Sequence, residues 1–308
     1  MTLSSSRSRF GLSDILMLLA VVMWGVNFSF IKIALREMSP QGFNGLRLLL
    51  TAALFLAVLA ISGQGFRVPR ADLWKLALLG IGGNALYQVL FIGGVSRTTA
   101  SNTSLILCMT PIFIALFSVA LRVERVHWLG WIGIAVSFAG LYLVVTQRSG
   151  GVRLSGDGLR GDLMIFGGTL LWASYTVFSK GFLERHSPLK FSALTVVFGA
   201  LVYVPLTARE IVRLPWAEIS PRAWASLVFS ALFGLVLGYL IWYYSVQRVG
   251  NARTAAYNNL TPIFTALFAA LLLGERLRPV QAAGAAVILA GVYLTRSSQR
   301  FVEGPPEE

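Results

Sequence analysis

The sequence predicts an all-α integral membrane protein of ten transmembrane helices, arranged as two inverted five-helix repeats. Three observations predict this fold class: a shortage of charge, a series of long apolar runs, and an internal duplication. Of the 308 residues, 56% are hydrophobic and only 13% are charged, whereas soluble domains carry roughly 25% charged residues. So little charge leaves too little polar surface for a globular protein in water, and it fits a chain whose solvent is the lipid bilayer.

Ten runs free of charged residues are each about as long as a membrane-spanning helix, which needs about 20 apolar residues, with a lower limit near 17. Backbone polar groups in lipid must be hydrogen-bonded within the protein, and no run shows the alternation of a β-barrel strand. Each run is therefore predicted to be a helix. The runs are 15–31, 48–66, 76–96, 98–121, 128–147, 163–179, 191–208, 223–247, 254–274 and 279–295.

The two halves of the chain repeat one another. Residues 14–40 align without a gap on residues 162–188, and the sequence Thr-Pro-Ile-Phe at 110–113 recurs at 261–264. Because the match holds at charged residues and prolines as well as at apolar ones, it indicates a gene duplication. Each half contains five runs, an odd number, so the second copy is expected to be inverted in the membrane. Inverted repeats are a common architecture of alternating-access transporters.

The duplication and the composition together predict the domain organisation. We expect a first repeat over 1–147, a Gly-rich linker over 148–161, a second repeat over 162–296 and a disordered tail over 297–308. Lys and Arg are slightly more numerous in the segments that share a side of the membrane with the N-terminus than in those on the other side. This favours cytoplasmic N- and C-termini in the inner (cytoplasmic) membrane. The net charge of +13 lies in these short segments, near lipid headgroups, so nucleic acid is not an expected partner.

A set of residues in both repeats resembles the EamA family of the drug/metabolite transporter superfamily. They are Trp24, Gly25, Asn27, Lys32 and Arg47 near the start, Pro111 and Pro262 within the spans, and Leu-Gly-Glu-Arg-Leu at 273–277 with Gln281, Gly284 and Gly291 near the end. The resemblance covers nearly all of residues 14–295. It implies a permease for a small metabolite, often an exporter of amino acids or related compounds.

The sequence departs from the family pattern at two places. Position 195, which is equivalent to Arg47 in the second repeat, is Thr, so the basic residue is single. The first repeat reads Val-Glu-Arg at 123–125 and lacks the glycine found at 274 in the second.

Polar and aromatic side chains at membrane depth predict a central substrate cavity, since such residues are costly in lipid and are retained for packing or function. We expect spans 1, 3, 4, 6, 8 and 9 to line it, with walls that suit a zwitterion or an amphipathic solute. The predicted substrate-binding residues are Trp24, Asn27, Arg47, Asn84, Gln88, Trp172, Tyr175, Tyr239, Trp242, Asn258 and Asn259.

Two prolines, Pro111 and Pro262, lie near the middle of their spans and predict helix kinks. A proline has no N–H to donate to the carbonyl four residues earlier, which here belongs to Leu107 or Asn258. A carbonyl freed at this depth must face protein or a water-filled cavity.

Other roles are open for the same residue types. Tryptophan and tyrosine also form interfacial belts, and amides also hydrogen-bond neighbouring helices. For Arg47 the alternatives are a substrate carboxylate, bound through the planar guanidinium, and the lipid headgroups. Lys32 and Lys180 are expected to be interface anchors, and Glu124 and Glu275 to pair with adjacent arginines or to cap a loop.

No Asp or Glu lies within the core of any run, and proton-coupled carriers usually need an ionisable relay at depth. We therefore expect facilitated transport or exchange. Small residues on the fifth and tenth spans, such as Gly133 and Ala286, predict close helix packing and leave a homodimer as one option.

Other functions fit the sequence less well. A membrane-embedded transferase would need clustered acids, histidines or a metal, and His127 and His186 are the only histidines. A receptor would not need a duplicated, inverted core. Drugs or lipid-linked compounds are the alternative to a metabolite substrate. The expected partners are a small-molecule substrate and membrane lipids. No cofactor is expected, and the single Cys108 cannot form an internal disulfide.

Overall fold

The computed structural model describes residues 11–121, 127–146, 156–275 and 278–299, which are almost entirely helical. The α-helices are α1 (Leu12–Ala34), α2 (Pro40–Ile61), α3 (Arg70–Gly80), α4 (Tyr87–Arg97), α5 (Ala100–Leu107), α6 (Thr110–Ala120), α7 (Trp128–Thr146), α8 (Asp157–Leu183), α9 (Pro188–Val212), α10 (Pro221–Phe229), α11 (Gly238–Val249), α12 (Asn251–Tyr257), α13 (Thr261–Leu273) and α14 (Pro279–Gln299). Two π-helical segments, Ile81–Leu86 and Ser230–Leu237, join α3 to α4 and α10 to α11.

Six helical stretches in the described part of the chain are long and apolar enough to cross a membrane. They are Leu12–Ala34, Pro40–Ile61, Arg70–Arg97, Ala100–Phe117, Pro188–Val212 and Pro221–Val249. Trp128–Leu143, Asn258–Leu273 and Pro279–Leu294 are shorter apolar helices. Helix α8 contains the expected run 163–179 but is less apolar, because glycine and hydroxyl side chains interrupt its leucines and charges flank them.

Ser-Pro pairs mark where several helices begin. The hydroxyl of Ser39 accepts a hydrogen bond from the Gly42 amide at 3.2 Å, and Pro40 occupies the first turn of α2. Ser187 and Ser220 cap α9 and α10 in the same way. A serine cap satisfies one of the free amides at a helix start, and proline fits the first turn because its missing N–H would have had no partner there.

The helix starts of the second half repeat those of the first at the spacing of the aligned sequences. The corresponding starts are Pro40 and Pro188, Arg70 and Pro221, Tyr87 and Gly238, Ala100 and Asn251, Thr110 and Thr261, and Trp128 and Pro279. Packing follows the same correspondence. Helix α2 packs on α9 and α7 packs on α14, while α1 contacts α13 as α8 contacts α6.

The small residues of α7 and α14 pack against each other within one chain. A Cβ added at Gly140 would lie 2.7 Å from the Ile288 amide nitrogen, and the Ser137 hydroxyl donates to the Ile288 carbonyl at 3.3 Å. Glycine and serine therefore let these two backbones approach closely, as small residues do at helix contacts in lipid.

Two expected boundaries differ from the structure. Helix α8 begins at Asp157, so residues 157–161 belong to a helix and not to the linker 148–161. A carboxylate in the first turn stabilises the positive end of the helix dipole there. Helix α14 runs to Gln299 and so includes the first three residues of the expected tail 297–308. Serine and glutamine are tolerated in a helix, and the glycine and prolines of the tail come only later. Residues 147–155 and 300–308 lie outside the described residues.

Polar contacts between the halves lie at both ends of the bundle. At one end Asp72 accepts from the Arg185 guanidinium at 2.9 Å and contacts His186 at 3.2 Å. At the other end the Glu37 carboxylate accepts from the Ser220 amide at 2.7 Å. There too, Glu275 accepts from the first two backbone amides of α5, at 3.1 and 3.3 Å, so it caps a helix of the other half. Glu124 lies outside the described residues.

Candidate functional site

A cavity of about 70 Å³ lies between the two halves of the described structure. Its lining consists of Trp24, Asn27, Phe28, Arg47, Tyr87, Gln88, Phe91, Leu107, Thr110, Trp172, Gly234, Leu235, Tyr239, Asn258 and Thr261. A cavity of this size has room for several water molecules. Aromatic walls with a few oriented polar groups are typical of small-molecule sites.

Aromatic rings from both halves form one wall of the cavity. The Trp172 ring has its centroid 5.4 Å from that of Tyr87 and 5.2 Å from that of Tyr239. Trp24 is fixed by a 2.9 Å hydrogen bond from its indole nitrogen to the Gly234 carbonyl, which lies in the second π-helical segment. This bond holds the ring of a first-half helix against the second half.

Trp242, Tyr175 and Asn84 lie behind this wall and do not line the cavity, although the sequence predicted all three as binding residues. Trp242 is fully buried, and its ring packs between the rings of Trp24 and Trp172, with centroids 5.6 and 5.9 Å away. The Asn84 amide donates to the Tyr175 hydroxyl at 3.3 Å.

The surroundings of Tyr175 and Asn84 explain why they are turned away from the cavity. The Tyr175 hydroxyl lies 2.5 Å from that of Thr195, on helix α9. Asn84 packs against Gly199 of the same helix, which has no side chain to exclude it. Both residues therefore connect α9 to the wall and support it.

Helix breaks place polar backbone groups at the cavity. Helix α5 ends at Leu107 and α6 begins at Thr110, so Pro111 lies in the first turn of a new helix. Pro262 lies at the start of α13 in the same way, after a 3₁₀ turn over Asn258–Leu260. The predicted kinks are thus full interruptions, in which the chain turns and a second helix starts.

The carbonyl of Leu107, freed by Pro111, faces protein. It accepts from the Thr110 hydroxyl at 2.6 Å and from the Asn258 amide at 3.2 Å. Asn258 in turn accepts from the Thr261 hydroxyl at 3.1 Å. These bonds tie the break in one half to the break in the other, and all four residues line the cavity.

Asn259 lies on the other side of this break. Its side-chain amide oxygen accepts from the Cys108 thiol at 3.4 Å, outside the cavity lining. Successive residues of a helical turn point in different directions, so Asn258 and Asn259 cannot both face the cavity.

Arg47 is buried at the cavity, with 1% of its surface exposed. Its guanidinium donates to Asn44 at 2.5 Å, to Gln88 at 2.6 Å and to Ser230 at 3.0 Å. A side chain held in this way does not extend to lipid headgroups, so that alternative is wrong. Ser230 belongs to the second half, so Arg47 also bridges the halves.

The cavity thus brings together seven of the eleven predicted binding residues. They are Trp24, Asn27, Arg47, Gln88, Trp172, Tyr239 and Asn258. The prediction omitted Tyr87, although it adjoins Gln88, and Thr110 and Thr261, although each precedes the repeated proline. The sequence did not indicate Phe28 and Phe91, because a phenylalanine that lines a cavity cannot be distinguished by sequence from one that faces lipid.

Comparison with known proteins identifies the family. The model of the EamA-like transporter family matches residues 11–146 and again residues 159–297. An uncharacterized transporter of Archaeoglobus fulgidus is 29% identical over 93% of this chain and 98% of its own length. A probable amino-acid metabolite efflux pump of Salmonella typhimurium is 30% identical over 91% of this chain and 93% of its own length.

The fold is shared with a protein of known crystal structure. That structure matches 95% of this chain and 99% of its own at a TM-score of 0.67, with 19% sequence identity. The family match, which spans both halves, and the apolar helices agree on a multi-pass membrane transporter, as the sequence predicted. The chain belongs to the EamA-like transporter family.

Proposed function

We propose that this transporter exports a small amphipathic metabolite, an amino acid or a related compound, by alternating access through the central cavity. The observation that carries the proposal is the cavity itself, which both halves line with aromatic rings and a few amide and hydroxyl groups. A site between two similar halves becomes accessible from one side or the other when the halves move against each other.

The proposal includes ten membrane-spanning helices in two inverted repeats. Recurring helix starts and the packing of α2 on α9 and α7 on α14 support it, since a pseudo-two-fold axis brings an element beside its own counterpart. Five spans per repeat would invert the second copy. The proposal also places the chain in the inner membrane with both termini in the cytoplasm. In this orientation the distribution of Lys and Arg follows the positive-inside preference.

The substrate class is supported by the lining and by the relatives. Aromatic walls accommodate an apolar or aromatic side chain, and the polar groups can orient the charged end of an amino acid. Similar proteins of Salmonella typhimurium and Escherichia coli carry the name probable amino-acid metabolite efflux pump, which agrees with this class and with export.

Flux into proteoliposomes tests the proposal. Purified protein would be assayed with a panel of labelled amino acids, with Trp172→Phe and Asn258→Ala as cavity variants and Trp131→Ala as a control. Trp131 is 49% exposed on α7 and is not among the lining residues.

We expect both cavity variants to lose most of the flux while they remain folded, and the control to keep it. Trp172→Phe reduces the ring contacts of the wall, and Asn258→Ala removes one of two donors to the Leu107 carbonyl. Flux at the wild-type level in both cavity variants would contradict the cavity assignment. Absence of flux for every amino acid in the wild-type protein would refute the proposed substrate class.

A further inference from the structure

We infer that Arg47 binds the carboxylate of the transported solute, so that this carrier selects small solutes with one anionic group. The inference rests on the proposed function and adds the chemistry that the solute must bring. It concerns one buried charge and the groups around it.

The positive charge of Arg47 has no negative partner in the described structure. Its three hydrogen-bond partners, Asn44, Gln88 and Ser230, are neutral, and no carboxylate of the described residues forms an ion pair with it. Phenylalanine rings flank it, with the guanidinium carbon 5.4 Å from the Phe43 centroid. Burial of an unpaired charge at membrane depth is costly, and such residues are characteristically functional.

The guanidinium also has donors to spare. It carries five N–H groups, and its three hydrogen bonds leave the Nε group without a partner in a fully buried position. Asn44 and Gln88 both accept from Nη2, so the group is held in place before a solute arrives. Arg47 lines the cavity, so a carboxylate there would supply the missing charge and an acceptor for the guanidinium.

The remaining lining fits the rest of such a solute. Asn27 lines the cavity, and its side-chain oxygen is buried without a donor, so a small rotation of the amide would let it accept from an ammonium group. The faces of Trp24, Trp172 and Tyr239 attract a cation and pack against an apolar side chain. A neutral solute would leave the charge of Arg47 uncompensated, and a cationic solute would be repelled by it. The zwitterionic form of an amino acid satisfies both ends of the cavity.

A comparison of solutes that differ only in the anionic group tests the inference. Proteoliposomes would be assayed for flux of leucine and phenylalanine, each beside its carboxamide, in which a neutral amide replaces the carboxylate. We expect wild-type protein to transport the amino acids about tenfold or more faster than the carboxamides, since a hydrogen bond to a charged group carries that discrimination. Arg47→Gln should bring the two within about twofold by slowing the amino acids.

A second variant keeps the arginine and changes its partner. Gln88→Glu places a carboxylate of nearly the same shape 2.6 Å from the guanidinium, which gives Arg47 an internal counter-ion. We expect this variant to be at least as resistant to heat as the wild type and to lose the preference for amino acids over carboxamides. If Arg47 had only a structural role, Gln88→Glu would be stable and would keep the wild-type preference for amino acids.

The outcomes separate the inference from the proposed function. Equal transport of amino acids and carboxamides by the wild type, or a preference that survives in Gln88→Glu, would overturn the role of Arg47 and leave the transporter assignment intact. Failure of the wild type to move either amino acid, while the protein is folded, would overturn the proposed substrate class and the inference with it.

Discussion

A single methyl group at Gly291 should weaken the contact between α7 and α14. A Cβ built there would lie 2.5 Å from the Gly133 carbonyl oxygen and 2.6 Å from the Ser137 amide nitrogen, whereas ordinary contacts begin at 3.4 Å. The Ser137 hydroxyl is closer still and can rotate, but the other two neighbours are backbone atoms, which cannot move without the helix. The two helices would have to separate by roughly 1 Å, a gap that forfeits a quarter to a half of the attraction at each contact.

The expected loss for Gly291→Ala is about 1–3 kcal/mol, as for other overpacked interiors. Close packing carries much of helix association in lipid, where apolar burial gives no advantage to one helix over a lipid tail. The assay is the apparent unfolding temperature of the purified protein in detergent at a fixed scan rate, because unfolding of large proteins is often irreversible.

Gly181→Ala provides the matched control. Gly181 lies in α8, and nothing surrounds the position of its missing Cβ within 4 Å. Alanine should therefore leave the unfolding temperature unchanged or raise it, because glycine costs a helix up to about 1 kcal/mol relative to alanine. If Gly291→Ala unfolds at the same temperature as Gly181→Ala, the close approach of α7 and α14 is wrong.

Three further predictions concern the polar contacts at the ends of the bundle. The amide and hydroxyl at the start of α10 donate to Glu37 and lower the pKa of its carboxyl below the usual 4.5. This stabilisation is present above pH 4.5 and is lost as the pH falls through the lowered value, so acidification should lower the unfolding temperature of the wild type more than that of Glu37→Gln; equal slopes would contradict the contact. Glu275→Gln removes the charge that caps α5 and should destabilise the protein by about 0.5–2 kcal/mol, which the same thermal assay measures; an unchanged midpoint would exclude the cap. Asp72→Asn should lower the unfolding temperature only modestly, since Arg185 is 55% exposed. Asp157→Asn loses an exposed pair and a carboxylate in the first turn of α8, and should lower the unfolding temperature still less in the same assay.

The sequence predicted the existence of the helices better than their ends. It also predicted an aromatic cavity better than the individual residues that line it. Charge-free runs and Ser-Pro pairs are local signals, so most of the length of the expected runs is helical and three helices begin where serine precedes proline. The run 48–66 nevertheless extends five residues beyond the end of α2 at Ile61. The π-helical segments at 81–86 and 230–237 have no comparable signal. They rotate the chain that follows, and with it the direction of each aromatic side chain.

This rotation limits prediction of the site from spacing alone. Tyr239 and Trp242 are three residues apart and share a helix face, yet only Tyr239 lines the cavity. The small Gly199 on α9 lets Asn84 pack there, a relation between distant helices that no local pattern contains. By contrast, the repeated proline identified both helix breaks, because the loss of an N–H has the same consequence wherever proline stands.

The helix starts of the two halves correspond, but among the described residues only the first half places an arginine at the cavity, and the structure gives a physical reason. Thr195 occupies the position equivalent to Arg47, and it is fully buried with its hydroxyl against that of Tyr175. An arginine there would add a second unpaired charge beside a packed aromatic ring, a burden of several kcal/mol that one solute carboxylate could not offset. A single arginine also makes the two ends of the cavity different. With the inferred role of Arg47, a solute would bind in one orientation, with its carboxylate toward the half that carries Arg47.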